Sequence, residues 1–175
     1  NAGPAGLSCV IVRRDLIAPG PAKPYCPSYL DYRVQDEKDS MMNTPNTFAI
    51  YACSLVFDWI EAQGGLAAMR ERNRAKADLM YAALDKSRLF RPHAQKASRS
   101  MMNATFRTGS DALDQEFLAG AEARGMIGIK GHRSTRGMRA SMYNALPIEA
   151  VQALTAYMEE FEAAHPAEAE AAALA

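Results

Sequence analysis

Apolar residues along this chain fall into blocks with two rhythms. Residues 6–12, Gly-Leu-Ser-Cys-Val-Ile-Val, form a short, partly β-branched apolar run behind a Gly-Pro-Ala-Gly turn, which predicts a buried strand. Residues 48–60 are apolar almost throughout and predict a buried helix stopped by Gly64 and Gly65. Pro45 biases Thr44 away from helical backbone, so Asn46 or Thr47 is placed to cap that helix. From about residue 66 to 84, Leu66, Met69, Met80 and Leu84 share one side, while Arg70, Glu71, Arg72, Arg74, Lys76 and Asp78 occupy the other. That pattern predicts an amphipathic helix, read as a connector between two lobes.

Beyond it the rhythm alternates. Residues 101–106 read as a strand, and residues 111–124 as a helix capped by Ser110 with Leu113, Phe117 and Leu118 inward. Residues 126–130 and 138–143 read as two short strands. Pro147 then opens a helix in which Ile148, Val151, Leu154, Met158 and Phe161 recur at three- and four-residue intervals. Strand, helix, strand, strand, helix makes a small α/β unit. Residues 19–27 hold four prolines and a glycine and predict a loop; residues 36–46 are polar and rich in turn formers. After Pro166 the Ala/Glu tail is expected to bury little and to fray.

At 175 residues, 49% hydrophobic and 23% charged, the chain can bury a core as one domain or two small ones. No apolar run approaches the ~18 residues of a membrane span, and no secretory leader is visible, so no membrane partner is expected. Cys9, Cys26 and Cys53 are odd in number and lack metal-ligand spacing, which reads as reduced thiols in the cytoplasm. The first residue, Asn1, is not Met, which predicts that more residues precede it.

Charge adds the sharpest signal. Formal net charge is +0, yet residues 123–148 contain no Asp or Glu and carry Arg124, Lys130, Arg133, Arg136 and Arg139. A local cationic patch of this kind attracts small anions, since guanidinium matches carboxylate and phosphate oxygens in two-pronged fashion. In the predicted strand Met138, Ala140 and Met142 share one face, so Arg139, Ser141 and Tyr143 share the other. Arg139 therefore points to water or into a cleft. His132 and Arg133 follow a glycine in a turn, where imidazole and guanidinium can both donate to phosphate oxygens. Asn43, Thr44 and Pro45 read as a turn ahead of a helix, where an amide, a hydroxyl and backbone N–H groups converge. His93, His132 and His165 are too scattered to suggest a metal site. Nucleotide-binding glycine loops, serine-hydrolase elbows and Cys-x-x-Cys pairs are lacking.

Three segments occur in the same order in one known family: Asn-Ala-Gly-Pro-Ala-Gly at 1–6, Asn-Thr-Pro at 43–45, and Gly-His-Arg through Gly-Met-Arg-Ala-Ser-Met-Tyr-Asn-Ala at 131–145. They resemble the C-terminal portion of phosphoserine aminotransferases, pyridoxal 5′-phosphate enzymes of class V. The resemblance implies an α/β chain of fold type I. Residues 1–64 would complete the large cofactor domain with its dimer contacts, and residues 65–165 would form the connector helix and small substrate domain. It implies that the lysine forming the aldimine with the cofactor immediately precedes Asn1, so that no catalytic residue lies in this chain. Arg139 would grip the α-carboxylate of the amino or keto acid, and His132 with Arg133 would bind the substrate phosphate, in the neighbouring subunit's site. Asn43 and Thr44 would reach the cofactor phosphate of the partner subunit; Asn46 stands where that family usually has a second proline. The implied reaction is amino transfer between glutamate and 3-phosphohydroxypyruvate, in serine and in some bacteria pyridoxine biosynthesis, by a homodimer with shared sites. Two other readings stand beside it: a non-catalytic binding domain derived from the fold, and a basic nucleic-acid-associated domain using the acid-free stretch 87–110, whose only aromatics are Phe90 and Phe106.

Overall fold

Two polar caps organise the first part of the computed structural model, which describes residues 1–17 and 23–173. Asp31 starts the short helix α1 (Tyr32–Glu37), its carboxylate accepting from the Arg33 N–H and pairing with the same residue's guanidinium at 2.6 Å. Asn46 starts α2 (Thr47–Ala62) by accepting from the Ala49 N–H at 3.1 Å. The helix is present, but its expected burial is not. Only Ala49, Cys53 and Ile60 are buried, while Phe48, Ile50, Tyr51, Leu55 and Phe57 are exposed. The buried thiol of Cys53 donates to the Ala2 carbonyl at 2.8 Å, and Gly3, at φ +150°, packs so closely on Cys53 that a side chain would crowd it.

Residues 6–12 form no strand. They run as irregular chain with Val10 59% and Ile11 95% exposed. An apolar strand is stable only when neighbours take up its N–H and C=O groups, and none of the described residues pairs with it. Of the expected proline-rich loop, residues 19–22 lie outside the described residues; from Lys23 the chain turns towards a 3-10 turn at Ser28–Leu30.

By Cα proximity, residues 2–62 form one compact unit, and Asn1 with residues 63–175 the other. In the second unit α3 (Gly65–Lys86) begins at Gly64, whose φ of +98° suits a residue without a side chain. Met69, Ala77, Met80 and Leu84 are buried as the periodicity predicts, but Leu66 is 81% exposed and Lys76, assigned to the charged side, is only 2% exposed.

The sheet is antiparallel in the order β1-β2-β3: β1 (Arg91–Pro92), β2 (Asn103–Arg107) and β3 (Met138–Ser141), with Phe106 opposite Met138 and Thr105 opposite Arg139. Residues 126–130 are not a strand; they contribute one isolated bridge, Lys130 to Met138. Helix α4 (Asp111–Ala123) is capped by Ser110, and α5 (Ile148–Ala164) follows Pro147. The tail is helical rather than frayed: α6 (Pro166–Ala173) lays Ala169 into the core, while residues 174–175 lie outside the described residues. At the centre Phe117 meets Phe90, Phe161 and Tyr157 at ring distances of 4.9, 5.2 and 4.7 Å. This aromatic cluster, with Met138, Ala140 and Met142 from the sheet, is the platform behind β3.

Candidate functional site

Alternation along β3 holds. Met138, Ala140 and Met142 are buried in the core, and Arg139 emerges on the opposite face. Its backbone is doubly fixed, by the ladder with Thr105 and by its N–H donating to Ile129 at 2.6 Å. The guanidinium is half-buried, makes no ion pair among the described residues, and its Nε is buried without a hydrogen-bond partner. Desolvating a donor of a charged group without satisfying it is unfavourable by about 1–3 kcal/mol. An anion seated on that face would supply the missing acceptor.

His132 and Arg133 project from a tightly closed loop between Gly131 and Gly137. The Gly131 N–H donates to the Gly137 carbonyl at 2.8 Å, and the Thr135 and Arg136 N–H groups both donate to His132 O at 3.0 and 2.7 Å. Arg136 and Gly137 take positive φ, 55° and 59°. A side chain at Gly131 would strike the Arg136 carbonyl, so the loop cannot close around a larger residue. His132 Nδ1 lies 2.8 Å from Ser134 Oγ and accepts from the Ser134 N–H at 3.3 Å. In a ring whose Nδ1 accepts in this way, Nε2 is the nitrogen that carries a proton.

Asp111 braces this loop from the start of α4: its carboxylate takes Arg107 and Arg136, each at 3.0 Å. Lys130, His132, Arg133 and Arg136 line a small cleft of about 220 Å³ together with Asp111 and Asp114. The fully buried Asp114 accepts from the Thr108 N–H and hydroxyl, both at 2.8 Å, and its second oxygen has no partner among the described residues.

The acid-free appearance of residues 123–148 is therefore only partly true in space. Arg124 reaches Glu160 at 3.3 Å and stacks on Tyr157, and Arg136 pairs with Asp111, whereas Lys130, Arg133 and Arg139 have no ion pair among the described residues. Nor do all the expected anion-binding groups share one cavity. His132 and Arg133 line the same cleft; Arg139 does not line it. Asn43 and Thr44 are exposed in the other unit, just ahead of α2. An amide and a hydroxyl at the start of a helix suit a phosphate chemically.

Two features escaped the sequence reading. One is Asp111 and Asp114, acids outside the basic run that fold back onto it. The other is a polar network around Lys76: its ammonium donates to the carbonyls of Tyr143 and Leu146 at 2.6 and 3.0 Å. Burial lowers its pKa below that of an ordinary lysine. The remaining histidine near charge, His165, hydrogen-bonds Phe161 O at 2.8 Å and lies 3.2 Å from Glu116, a structural position on α5 and α4.

Comparison with known proteins locates this arrangement. Residues 1–154 match the family model described as aminotransferase class-V. The chain is 52% identical over 165 residues to a phosphoserine aminotransferase of Pseudomonas aeruginosa, covering 94% of this chain and 45% of that protein. Among solved structures, the phosphoserine aminotransferase of Bacillus circulans subsp. alkalophilus superposes with a TM-score of 0.79 at 43% identity, covering 88% of this chain and 42% of that one. A pyridoxal-phosphate-bound phosphoserine aminotransferase of Trichomonas vaginalis superposes with a TM-score of 0.73 at 42% identity, covering 79% and 40%. The chain thus spans less than half the length of the relatives it matches.

Proposed function

Because this chain belongs to the class-V aminotransferases, we propose that it serves as the C-terminal portion of a phosphoserine aminotransferase, moving an amino group between glutamate and 3-phosphohydroxypyruvate. The observation that supports the reading is Arg139: a half-buried guanidinium without a carboxylate partner among the described residues, held on a strand backed by the aromatic core. Both amino acids of the reaction carry an α-carboxylate, and this group would bind either. Arg133 and the Nε2 proton of His132 would hold the phosphate that only one of them carries. Asn43 and Thr44 would donate to the cofactor's phosphate.

The cofactor is pyridoxal 5′-phosphate, which supplies the electron sink for the chemistry. The residues of this chain bind and orient. The lysine that carries the cofactor would stand directly before Asn1, and the residues that precede it would also settle whether the chain is instead a non-catalytic binding domain. The whole enzyme would be a homodimer with shared sites, in which Arg139 serves one active site and His132 with Arg133, lining a cleft that Arg139 does not line, serve the other. Glutamate and the phosphorylated acid are the small-molecule partners, in the cytoplasm, with serine biosynthesis and a related pyridoxine-pathway step as the roles. None of the described helices is long and apolar enough to cross a membrane. A nucleic-acid surface is less well supported, since Lys96 and Arg99 of the second basic stretch pair with Asp85, and Arg107 pairs with Asp111.

The test uses the complete enzyme. Loss of two charge-assisted hydrogen bonds at about 1.5 kcal/mol each predicts that Arg139→Ala lowers kcat/KM roughly 10²-fold for glutamate and phosphoserine alike. Arg133→Ala should impair phosphoserine far more than glutamate. Unchanged glutamate kinetics in Arg139→Ala would remove that residue, and with it the reading.

A further inference from the structure

Lys76 is the outstanding oddity outside the anion-binding groups. It is 2% exposed on α3, has no carboxylate partner among the described residues, and spends its charge on two main-chain carbonyls. Taking an ammonium out of water without a carboxylate is costly, and here two main-chain carbonyls offset that cost. Beside it Asn73, 3% exposed, donates from Nδ2 to Asn144 Oδ1 at 2.8 Å, while its own Oδ1 is buried without a partner among the described residues.

These polar groups act on one short segment. The carbonyls that Lys76 holds, Tyr143 and Leu146, are the first and last residues of the turn after β3, which the Leu146 N–H closes on Tyr143 O at 3.0 Å. Within that turn Asn144 is held from behind by Asn73 and presents its own N–H to Asn1 Oδ1 at 3.1 Å. Asn1 groups with this unit rather than with residues 2–62.

We propose that Lys76 and Asn73 are positioning residues that lock the turn at residues 143–146, so that Asn144 fixes Asn1 beside the cofactor-bearing lysine. The inference rests on the functional reading only for the identity of the residue before Asn1. The network itself stands on the geometry. Lys76 sets the shape of the turn by drawing both its ends towards one ammonium. Asn73 sets the rotation of Asn144. Two buried groups on a helix thereby control the orientation of a main-chain N–H towards the Asn1 side chain.

The experiment takes the complete, cofactor-loaded enzyme with Lys76→Met, Asn73→Ala and Asn1→Ala. Amide exchange across residues 142–146 should quicken at least tenfold in Lys76→Met and Asn73→Ala. In Asn1→Ala it should quicken at Asn144 alone. The pH midpoint of the bound cofactor's visible absorbance should move in the same direction in all three, with kcat reduced and the KM for phosphoserine within about twofold. A folded Lys76→Met enzyme with wild-type exchange, or with faster exchange and an unmoved midpoint, overturns the proposal. If Lys76→Met fails to fold, Asn73→Ala, which removes only the support behind Asn144, decides by the same two readouts. The exchange measurement needs no turnover, so it stands even where Arg139→Ala has refuted the functional reading.

Discussion

Phe117 offers the strictest quantitative test of the platform behind β3. It is fully buried, stacks on Tyr157 with an interplanar angle of 17°, and meets Phe90 and Phe161 edge-on. A phenylalanine buries about 200 Å² of apolar surface, so at about 25 cal/mol per Å² its removal from water contributes roughly 5 kcal/mol. Alanine retains about a third of that, and the cavity left among rigid rings adds roughly 1 kcal/mol, giving about 4 kcal/mol for Phe117→Ala. The Tyr157 hydroxyl bond survives the change, because it ends on the Phe117 main-chain carbonyl at 3.3 Å. Phe117→Leu, which keeps most of the volume, should lose about 1–1.5 kcal/mol. Urea titration should be followed by far-ultraviolet ellipticity and the near-ultraviolet tyrosine signal, since the single tryptophan, Trp59, lies in α2 and not in this core. With a slope of about 2 kcal/mol per molar, the midpoint for Phe117→Ala should fall by about 2 M. A loss under about 1.5 kcal/mol would mean that the neighbouring rings collapse into the space and that the platform is not rigid.

Two further outcomes follow from the same geometry. Asp85 is held below the ordinary carboxylate range chiefly by its hydrogen bonds from Arg99, which grips both its oxygens at 2.9 and 2.5 Å. A depressed folded pKa stabilises the fold above the unfolded value near 3.8, and this contribution is lost as pH falls through the folded value. Partial exposure limits it to about 0.5–1 kcal/mol, so at a slope of about 2 kcal/mol per molar Asp85→Asn should lower the urea midpoint by roughly 0.25–0.5 M near neutrality and flatten its acid limb. An unchanged acid limb would contradict the pairing. Gly131→Ala should open the 131–137 loop, because the new methyl group collides with the Arg136 carbonyl, and should weaken phosphoserine binding in the complete enzyme about tenfold while glutamate changes little. Equal losses for the two would mean that the loop does not carry the phosphate contacts.

Local rhythm made much of this fold legible. The period of α5 and the alternation of Met138, Ala140 and Met142 survive intact because each has its burying partner within the same unit. Residues 6–12 and the apolar flank of α2 carry equally strong apolar signals and yet lie exposed, because burial is a property of what covers a segment. Lys76 defeats the helical-wheel argument for the opposite reason. Lysine implies solvent on average, and only the two carbonyls of a turn some seventy residues away make its burial tolerable. Arg139, His132 and Arg133 were readable as candidates from charge and family likeness. Which of the neighbouring arginines are neutralised was not, since acids as distant as Asp111 and Glu160 decide it.

The contact between Cys53 and Ala2 turns a packing detail into a gauge. Cys9 is exposed and Cys26 half-exposed, whereas the sulfur of Cys53 is shielded under the first residues of the chain. A maleimide or disulfide reagent should consume the first two thiols quickly and wait for the third. The rate of that last modification then reports how often residues 2–3 lift from α2, a clock for local breathing over this helix that needs no added label.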